Sequence, residues 1–271
     1  MTAFLRTLLA AWLFLTAASA SAAANYQDMW WRPSESGWGV MVLQQGEVIS
    51  AVMFHYRPDR KPVWYLLSNA PRGNGESYSG TLFETSGPAL FGAFDPTTVA
   101  VRDVGTMTLN FSSLTAGSVS YTIDGQSASK VIERITFQTP SLIAEYLGSY
   151  AGYASCAGFP DIDTFTFTSR IIIGGTDQAL VLRVQTGGSL LGEALTCDLT
   201  GPLTQSGGIL TGSGTWICRN ASNQSRMTAT YTIDEMRIID KTVVINLRAS
   251  TSYPSVNANC TERGAFSGVR R

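Results

Sequence analysis

Aromatic rings, one carboxylate and one imidazole are concentrated near the start of this 271-residue chain. Exposed indole and phenol rings offer sugars and apolar ligands a flat surface, and a neighbouring carboxylate can fix the orientation of a bound molecule. The residues expected to form such a binding patch are Trp30, Trp31, Glu35, Trp38, His55, Tyr56 and Trp64. The chemistry predicted from them is non-covalent recognition by ring stacking and one or two hydrogen bonds.

The same tryptophans can instead belong to the core of a small barrel and close one of its ends. Residues Ser34–Gly37 would then be turn residues that satisfy backbone groups, and Gly39 would allow tight packing. The sequence leaves both interpretations open, because it does not tell whether the rings face inwards or outwards.

Few groups in the chain suit catalysis. His55 is the only histidine and no Gly-x-Ser-x-Gly elbow occurs, so neither a nucleophilic hydrolase site nor a multi-histidine metal site is predicted. We expect no catalytic residue, no metal and no cofactor. A glycan hydrolase that works with two carboxylates needs no histidine, and the acidic residues available for it are Asp28, Glu35, Asp59, Glu76, Glu84 and Asp95.

The four cysteines all lie in the second half of the chain, at Cys156, Cys197, Cys218 and Cys260. An even number in an exported chain favours two disulfides. We expect Cys197–Cys218 across neighbouring strands and Cys156–Cys260 near the two ends of that half. A zinc site built from all four is the alternative, but no Cys-x-x-Cys knuckle occurs.

The first 24 residues are typical of a secretory signal peptide. Arg6 supplies the positive charge, an apolar run follows from Leu8 to Leu15, and small residues lead to Ala-x-Ala patterns. Cleavage after Ala24 is expected, with Ala20 and Ala22 as alternative sites. We predict a periplasmic or secreted protein with no lipid anchor and no transmembrane segment in the mature chain.

Composition limits the range of partners. Charged residues make up 14% of the chain, and 19 Lys and Arg stand against 20 Asp and Glu, which gives a formal net charge of −1. No basic excess is present that would indicate a nucleic-acid partner. The expected partner is an unidentified small molecule, a glycan or a secreted protein.

Short segments rich in Val, Ile, Thr and Tyr alternate with turn residues, a pattern typical of β-strands. In the first half they are Trp38–Gln44, Val48–Tyr56, Val63–Ser68, Tyr78–Thr85, Val104–Phe111, Ser118–Ile123 and Ser129–Phe137. In the second half they are Thr164–Thr168, Ala179–Gln185, Ile209–Cys218, Met227–Ile233, Thr242–Arg248 and Gly264–Val269. We predict an all-β protein of two consecutive small antiparallel domains, either β-barrel-like (calycin-like) or sandwiches, the second stapled by disulfides.

The composition changes around Thr139-Pro140, which suggests a first β-domain over 25–139 and a second over 140–271, after the signal peptide 1–24. Ser141–Tyr146 is predicted to form one turn of helix at the join. The tetrad Tyr121-Thr122-Ile123-Asp124 recurs as Tyr231-Thr232-Ile233-Asp234, which indicates either a duplicated barrel or a chance repeat.

Four strings in the first half occur together in a recognisable order. They are Trp31-x-Pro33-x-Glu35-Ser36-Gly37-Trp38-Gly39, Val63-Trp64-Tyr65, Gly80-Thr81-Leu82-Phe83 and Ser129-Lys130-x-Ile132-x-Arg134-x-x-Phe137. Over Trp30–Phe137 the chain resembles a secreted β-module recurrent in proteobacterial proteins, found alone, in tandem and beside exported enzymes. The resemblance implies an accessory binding module and transfers no catalytic residue. It does not extend to the second half.

These observations favour an exported, non-catalytic binding or accessory protein whose ligand is a glycan or an apolar small molecule. One alternative is a protein inhibitor or accessory factor of a secreted or cell-wall hydrolase, with loops such as Arg57–Lys61 entering an enzyme cleft. A carboxylate-dependent glycan hydrolase, with Glu35 as the residue to test, is the further alternative.

Overall fold

The computed structural model describes residues 24–138, 140–157, 162–176, 179–186, 193–254 and 257–271. These residues form seventeen β-strands, together with two short 3-10 helices at Pro33–Glu35 and Pro96–Thr98. Among them, no helix is long and apolar enough to span a membrane. The predicted all-β class is confirmed.

The first eight strands close into an antiparallel barrel, barrel 1, in which each strand pairs with the next and the last returns to the first. The strands are β1 (Asp28–Trp31), β2 (Gly39–Gln45), β3 (Val48–Tyr56), β4 (Pro62–Pro71), β5 (Ser77–Ser86), β6 (Ala100–Phe111), β7 (Ala116–Ile123) and β8 (Gln126–Arg134). Alternate side chains point inwards, as Ile49, Ala51 and Met53 do on β3. The Asp124-Gly125 turn joins β7 to β8 with positive φ at both residues, the geometry that this dipeptide predicts.

The remaining strands form a second sheet that also closes on itself, barrel 2. The strands are β9 (Ala144–Cys156), β10 (Ile162–Thr176), β11 (Ala179–Thr186), β12 (Leu195–Gly201), β13 (Leu203–Ser206), β14 (Ile209–Arg219), β15 (Ser225–Ile239), β16 (Thr242–Tyr253) and β17 (Ala258–Arg270). Pairing of β12 with β14 closes an eight-stranded ring and leaves the short β13 as a branch beside β14. Of the two predicted architectures, barrels are therefore the correct one.

Both disulfides lie between directly paired residues of barrel 2. Cys156 on β9 is bonded to Cys260 on β17, and Cys197 on β12 is bonded to Cys218 on β14. This is the pairing that the sequence analysis predicts. Each bond fixes two neighbouring strands in register and removes loop-closure entropy from the unfolded chain.

Two sequence-based expectations are corrected. The predicted helical turn at Ser141–Tyr146 is wrong, because β9 already begins at Ala144 and pairs with strands on both sides. Closure of the sheet outweighs weak local preference here. The repeated tetrad also occupies different places, at the turn end of the seventh strand of barrel 1 and mid-strand in the sixth strand of barrel 2. The repeat therefore does not align the two barrels.

A buried arginine closes barrel 1. Arg134 ends β8 opposite Trp30 on β1, and its guanidinium lies 4.8 Å from the centre of the Trp30 ring. It forms an ion pair with Asp28 at 3.0 Å. Its remaining N–H groups donate to main-chain carbonyl oxygens, at 2.5 Å to Leu114, 3.1 Å to Gln27 and 2.6 Å to Asn25. All three guanidinium nitrogens therefore donate to an acceptor, as burial requires.

The turn between β13 and β14 packs against this closure and joins the barrels. The Gly207 N–H donates to Thr136 Oγ1 at 2.9 Å, and Gln205 Nε2 donates to the Gln138 carbonyl oxygen at 2.6 Å. Gly207 has a φ of +60°, and a Cβ on it would lie 2.7 Å from Asp28 Oδ2 and 2.9 Å from Arg134 Cβ. Only glycine fits this approach without displacing the ion pair.

Arg134→Met tests the importance of this closure. The substitution leaves Asp28 without its cation and removes one donor from each of three carbonyl oxygens, so we expect the free energy of unfolding to fall by about 3–5 kcal/mol. Urea unfolding of the oxidised protein measures the change.

The matched control is Arg102→Met. Arg102 also pairs with carboxylates, those of Glu84 and Asp124, but at the surface of the same barrel. Its loss is expected to cost about 1 kcal/mol or less. Equal losses of unfolding free energy in the two variants would show that the buried contacts of Arg134 stabilise the barrel no more than a surface ion pair does.

Candidate functional site

Most of the predicted patch gathers at one end of barrel 1. Antiparallel neighbours reverse direction, so alternate connections meet at the same end. The connections 32–38, 57–61, 87–99 and 124–125 therefore form one end, called here the signature end. It contains Glu35 and Trp38, while His55, Tyr56 and Trp64 lie at the adjoining strand ends.

Glu35 connects three side chains at the signature end. Its carboxylate accepts hydrogen bonds from Trp38 Nε1 at 3.2 Å and Lys130 Nζ at 3.0 Å. Arg32 forms an ion pair with it at 3.3 Å. The hydrogen bond from Lys130 is the largest effect that lowers the pKa of Glu35. A carboxylate held in its charged form is unsuited to the general-acid step of glycan hydrolysis.

Trp30 does not belong to an exposed patch. Its side chain is 0% exposed, and its Nε1–H donates to the Tyr26 carbonyl oxygen at 2.9 Å. Because Trp30 faces inwards on β1, its ring packs on Phe111 and under Arg134. The expectation of a ligand contact at Trp30 is therefore corrected, and the core interpretation applies to this residue.

The other tryptophans divide between the core and the outer surface. Trp38 is half-buried and packs against the core of barrel 1, where it covers the signature end. Trp31 is half-buried on the alternate side of β1 from Trp30. Trp64 is 47% exposed, and Phe54, its partner on β3, lies over Gly39. These rings do not converge on one cleft.

The outer face of barrel 1 carries an apolar surface. Directly paired side chains form one cross-strand row, the outer apolar row: Met29, Met41, Val52, Leu66 and Phe83. At the signature end, the connection 87–99 adds Leu90 and Phe91, which are 83% and 98% exposed. In the row itself Met41 is exposed and the other four side chains are half-buried. Exposed apolar side chains such as Leu90 and Phe91 often mark a contact surface.

His55 faces the interior of barrel 1 beside Tyr65, with 5.3 Å between ring centres. Its Nε2 is buried and has no hydrogen-bond partner among the described residues. Burial is the main cause that lowers the pKa of His55 below its ordinary value of 6.5, and a backbone hydrogen bond at Tyr56 acts weakly the other way. Among the described residues no carboxylate affects the pKa of His55 or orients its ring as a base, so the neutral ring serves packing.

A cavity lies inside barrel 2. Its volume is about 60 Å³, several times the roughly 10–15 Å³ that one water molecule requires. The walls are almost entirely apolar. Aromatic and acidic side chains in the walls include Tyr150, Phe165, Phe167, Trp216, Tyr253 and Glu262. An eight-stranded barrel is wide enough to hold one small ligand in this way.

Small residues at inward positions make room for the side chains of the cavity wall. Glu262 on β17 is paired with Ala154 on one side and Ala249 on the other. One row along, Gly152 faces Gly264, and the rings of Phe165 and Tyr150 occupy the space above them. These two rings and the carboxylate of Glu262 all line the cavity.

Glu262 is a buried acid in an apolar wall. It is 4% exposed, and its Oε1 accepts the hydroxyl of Thr251 at 2.9 Å and that of Tyr253 at 2.6 Å. Burial raises the pKa of Glu262, although both hydrogen bonds act to lower it. Perturbed acids in cavities are candidates for functional sites.

Two further polar groups of the cavity wall have no partner in the part of the chain that the structure describes. They are the hydroxyl of Tyr150 and the Nε1–H of Trp216, and both side chains are more than nine-tenths buried. Buried polar groups in native proteins are rarely left unsatisfied. A bound molecule with polar atoms, or water, would complete them.

The sequence analysis did not single out Glu262. A usable signal was present, since inward positions of β17 follow the alternation Ala258, Cys260, Glu262, Gly264 and Phe266. An acid at an apolar position of a strand predicts either a buried ion pair or a site. Within the described ranges, no group of three or more His, Cys, Asp or Glu side chains is placed to hold a metal ion.

Comparison with known proteins assigns no family to the chain. No family model matches it, and no curated protein matches it. The function is therefore argued from the side chains that the fold brings together.

The state of His55 can be measured directly, because it is the only imidazole in the protein. We expect a pKa below 6.5 in a titration followed by NMR of its ring protons. Between that pKa and 6.5 the unfolded chain binds more protons than the folded one, so the free energy of unfolding falls as the pH is lowered through this range.

His55→Gln serves as the comparison. It should remove that part of the pH dependence, leaving the stability profile flatter below pH 6.5. A midpoint at or above 6.5 would contradict the burial of a neutral ring.

Proposed function

We propose that this protein is an exported, non-catalytic binding protein that holds a small, mainly apolar molecule inside barrel 2. The observation that carries the proposal is the cavity itself, which combines apolar walls with a few unsatisfied polar groups. That combination is the usual form of a small-molecule site. The proposed binding site is therefore in the second barrel, in place of the aromatic surface that was expected near the start of the chain.

Binding is favoured over hydrolysis by the number of acids. Among the described residues that line the cavity, Glu262 is the only carboxylate. Glycan hydrolysis by the usual route needs two carboxyl groups on opposite sides of the scissile bond. A single acid in an apolar barrel is suited to orienting a ligand.

An oxidising compartment is the proposed location, because two disulfides persist there and are rare in the cytosol. The predicted signal peptide falls on residues 1–23, which lie outside the described residues, and on Ala24. Cleavage after Ala24 would leave Asn25, whose carbonyl oxygen binds Arg134, as the first residue. N-terminal sequencing of the exported protein tests this, and a chain that still begins at Met1 would refute it.

Toluene is a suitable probe for the cavity. We expect it to shift the indole N–H resonance of Trp216 and to leave the four tryptophans of barrel 1 unchanged. Val184 lines the cavity, so Val184→Phe fills it and should weaken toluene binding at least tenfold, as measured by NMR titration.

The control is Val131→Phe, the same substitution at an exposed position on β8. It should leave toluene binding unchanged. No shift at Trp216 in the unsubstituted protein, or equal binding by both variants, would rule out the cavity as the site.

A second candidate function is contact with a secreted partner protein through barrel 1. It is favoured by the outer apolar row and by the exposed Leu90 and Phe91, at the same end of the barrel as the charged turn Arg57–Lys61. Exposed apolar side chains rimmed by charges are typical of protein contact surfaces.

Replacement of Leu90 and Phe91 by Ser tests this candidate. Both side chains are exposed, so the fold and the urea midpoint should not change. Co-purification of a hydrolase from the source periplasm or medium should be lost in this variant and retained in Val131→Ser. Retention in both variants would exclude the connection 87–99 as the contact.

A further inference from the structure

We infer that the ligand of barrel 2 is a small aromatic or branched amine, bound as its ammonium ion with Glu262 as the counter-charge. This inference rests on the proposed function, since it names the chemical class that the same cavity takes.

The first argument is the incomplete satisfaction of Glu262. Its Oε1 receives two hydroxyl donors, from Thr251 and Tyr253. Both of these bonds fall on the same oxygen, and among the described residues that line the cavity there is no Lys, Arg or His. A buried carboxylate without a cation is costly, and removing that cost requires a proton or a positive ligand.

The second argument is the ring content of the same cavity. Tyr150 lies between Phe165 and Trp216, with ring centres 5.4 Å and 6.2 Å away, and Phe165 stacks on Phe167 at 5.3 Å. Aromatic faces attract ammonium groups, most strongly where water is excluded. A carboxylate surrounded by such rings matches an organic cation in both charge and shape.

Other ligand classes fit less well. An anion would meet the charge of Glu262 and find no cation in the wall. A purely apolar molecule would leave the Tyr150 hydroxyl and the Trp216 N–H without partners and Glu262 without a counter-charge. The space of about 60 Å³ is well below the roughly 150 Å³ of a cavity that encloses benzene, so a ligand with one ring enters it in part or widens it. An ammonium ion satisfies the acid, and the two remaining donors suit an oxygen elsewhere on the same molecule.

Benzylamine and benzyl alcohol form a matched pair of probes, because they share size and ring and differ in charge at neutral pH. We expect benzylammonium to bind at least tenfold more tightly than benzyl alcohol, measured by calorimetry and by the indole resonance of Trp216. In Glu262→Gln, the side-chain size and the acceptor for Thr251 and Tyr253 are kept, and the preference should fall to within about twofold.

Glu235→Gln is the matched control. It removes the same charge from the same barrel, at a half-buried position where Glu235 pairs with Arg237 and Asn246 outside the cavity. The preference for the amine should be unchanged. Phe167→Leu provides an independent variant, since loss of one ring should lower amine affinity more than alcohol affinity.

The outcomes separate the two proposals. Equal binding of both probes at Trp216 in the unsubstituted protein would overturn the amine inference and leave the cavity as a binding site. A preference that persists in Glu262→Gln would also overturn it, because the counter-charge would lie elsewhere. Absence of any binding at Trp216 would refute both the inference and the proposed function.

Discussion

The guanidinium of Arg134 is the interaction on which the arrangement of this molecule depends. It is buried where the first and last strands of barrel 1 meet, and it is bound by the carboxylate of Asp28, three carbonyl oxygens and the ring of Trp30. The Gly207 turn of barrel 2 packs directly on this group. One buried charge therefore closes the first barrel and supports the second, because a guanidinium can bind several acceptors in one plane.

The two barrels share a strand order and differ in what fills them. Barrel 1 is packed with large side chains, including Trp30, Tyr78 and Met107, so its interior is a core. In barrel 2 the rows around Glu262 carry Gly and Ala, over which the rings of Tyr150 and Phe165 pack, and a cavity remains beside Glu262. Side-chain volume at inward positions thus decides how much space each barrel encloses.

The aromatic segment from Trp30 to Gly39 acts chiefly in closing barrel 1. Trp30 meets Arg134, and Glu35 meets Lys130, so two residues of the first strand region are bound to two residues of β8. The two most distant strings of the sequence resemblance are therefore joined in space. Their spacing along the chain reflects barrel closure. Two of the tryptophans expected to form a contact patch, Trp30 and Trp38, contribute to that closure.

Sequence alone was sufficient for the all-β class and most strand positions. These follow from local alternation and from turn residues such as Asp124-Gly125, which act over short distances. The number of cysteines predicted two disulfides, and the pairing expected was one of three possible and is the one present. It was not sufficient for β9, for the inward direction of Trp30, or for the cavity around Glu262. Those depend on which strand closes against which, and a one-residue change of register would turn every such side chain to the opposite face. Tertiary closure, which no local pattern encodes, decided where the rings and the buried acid meet.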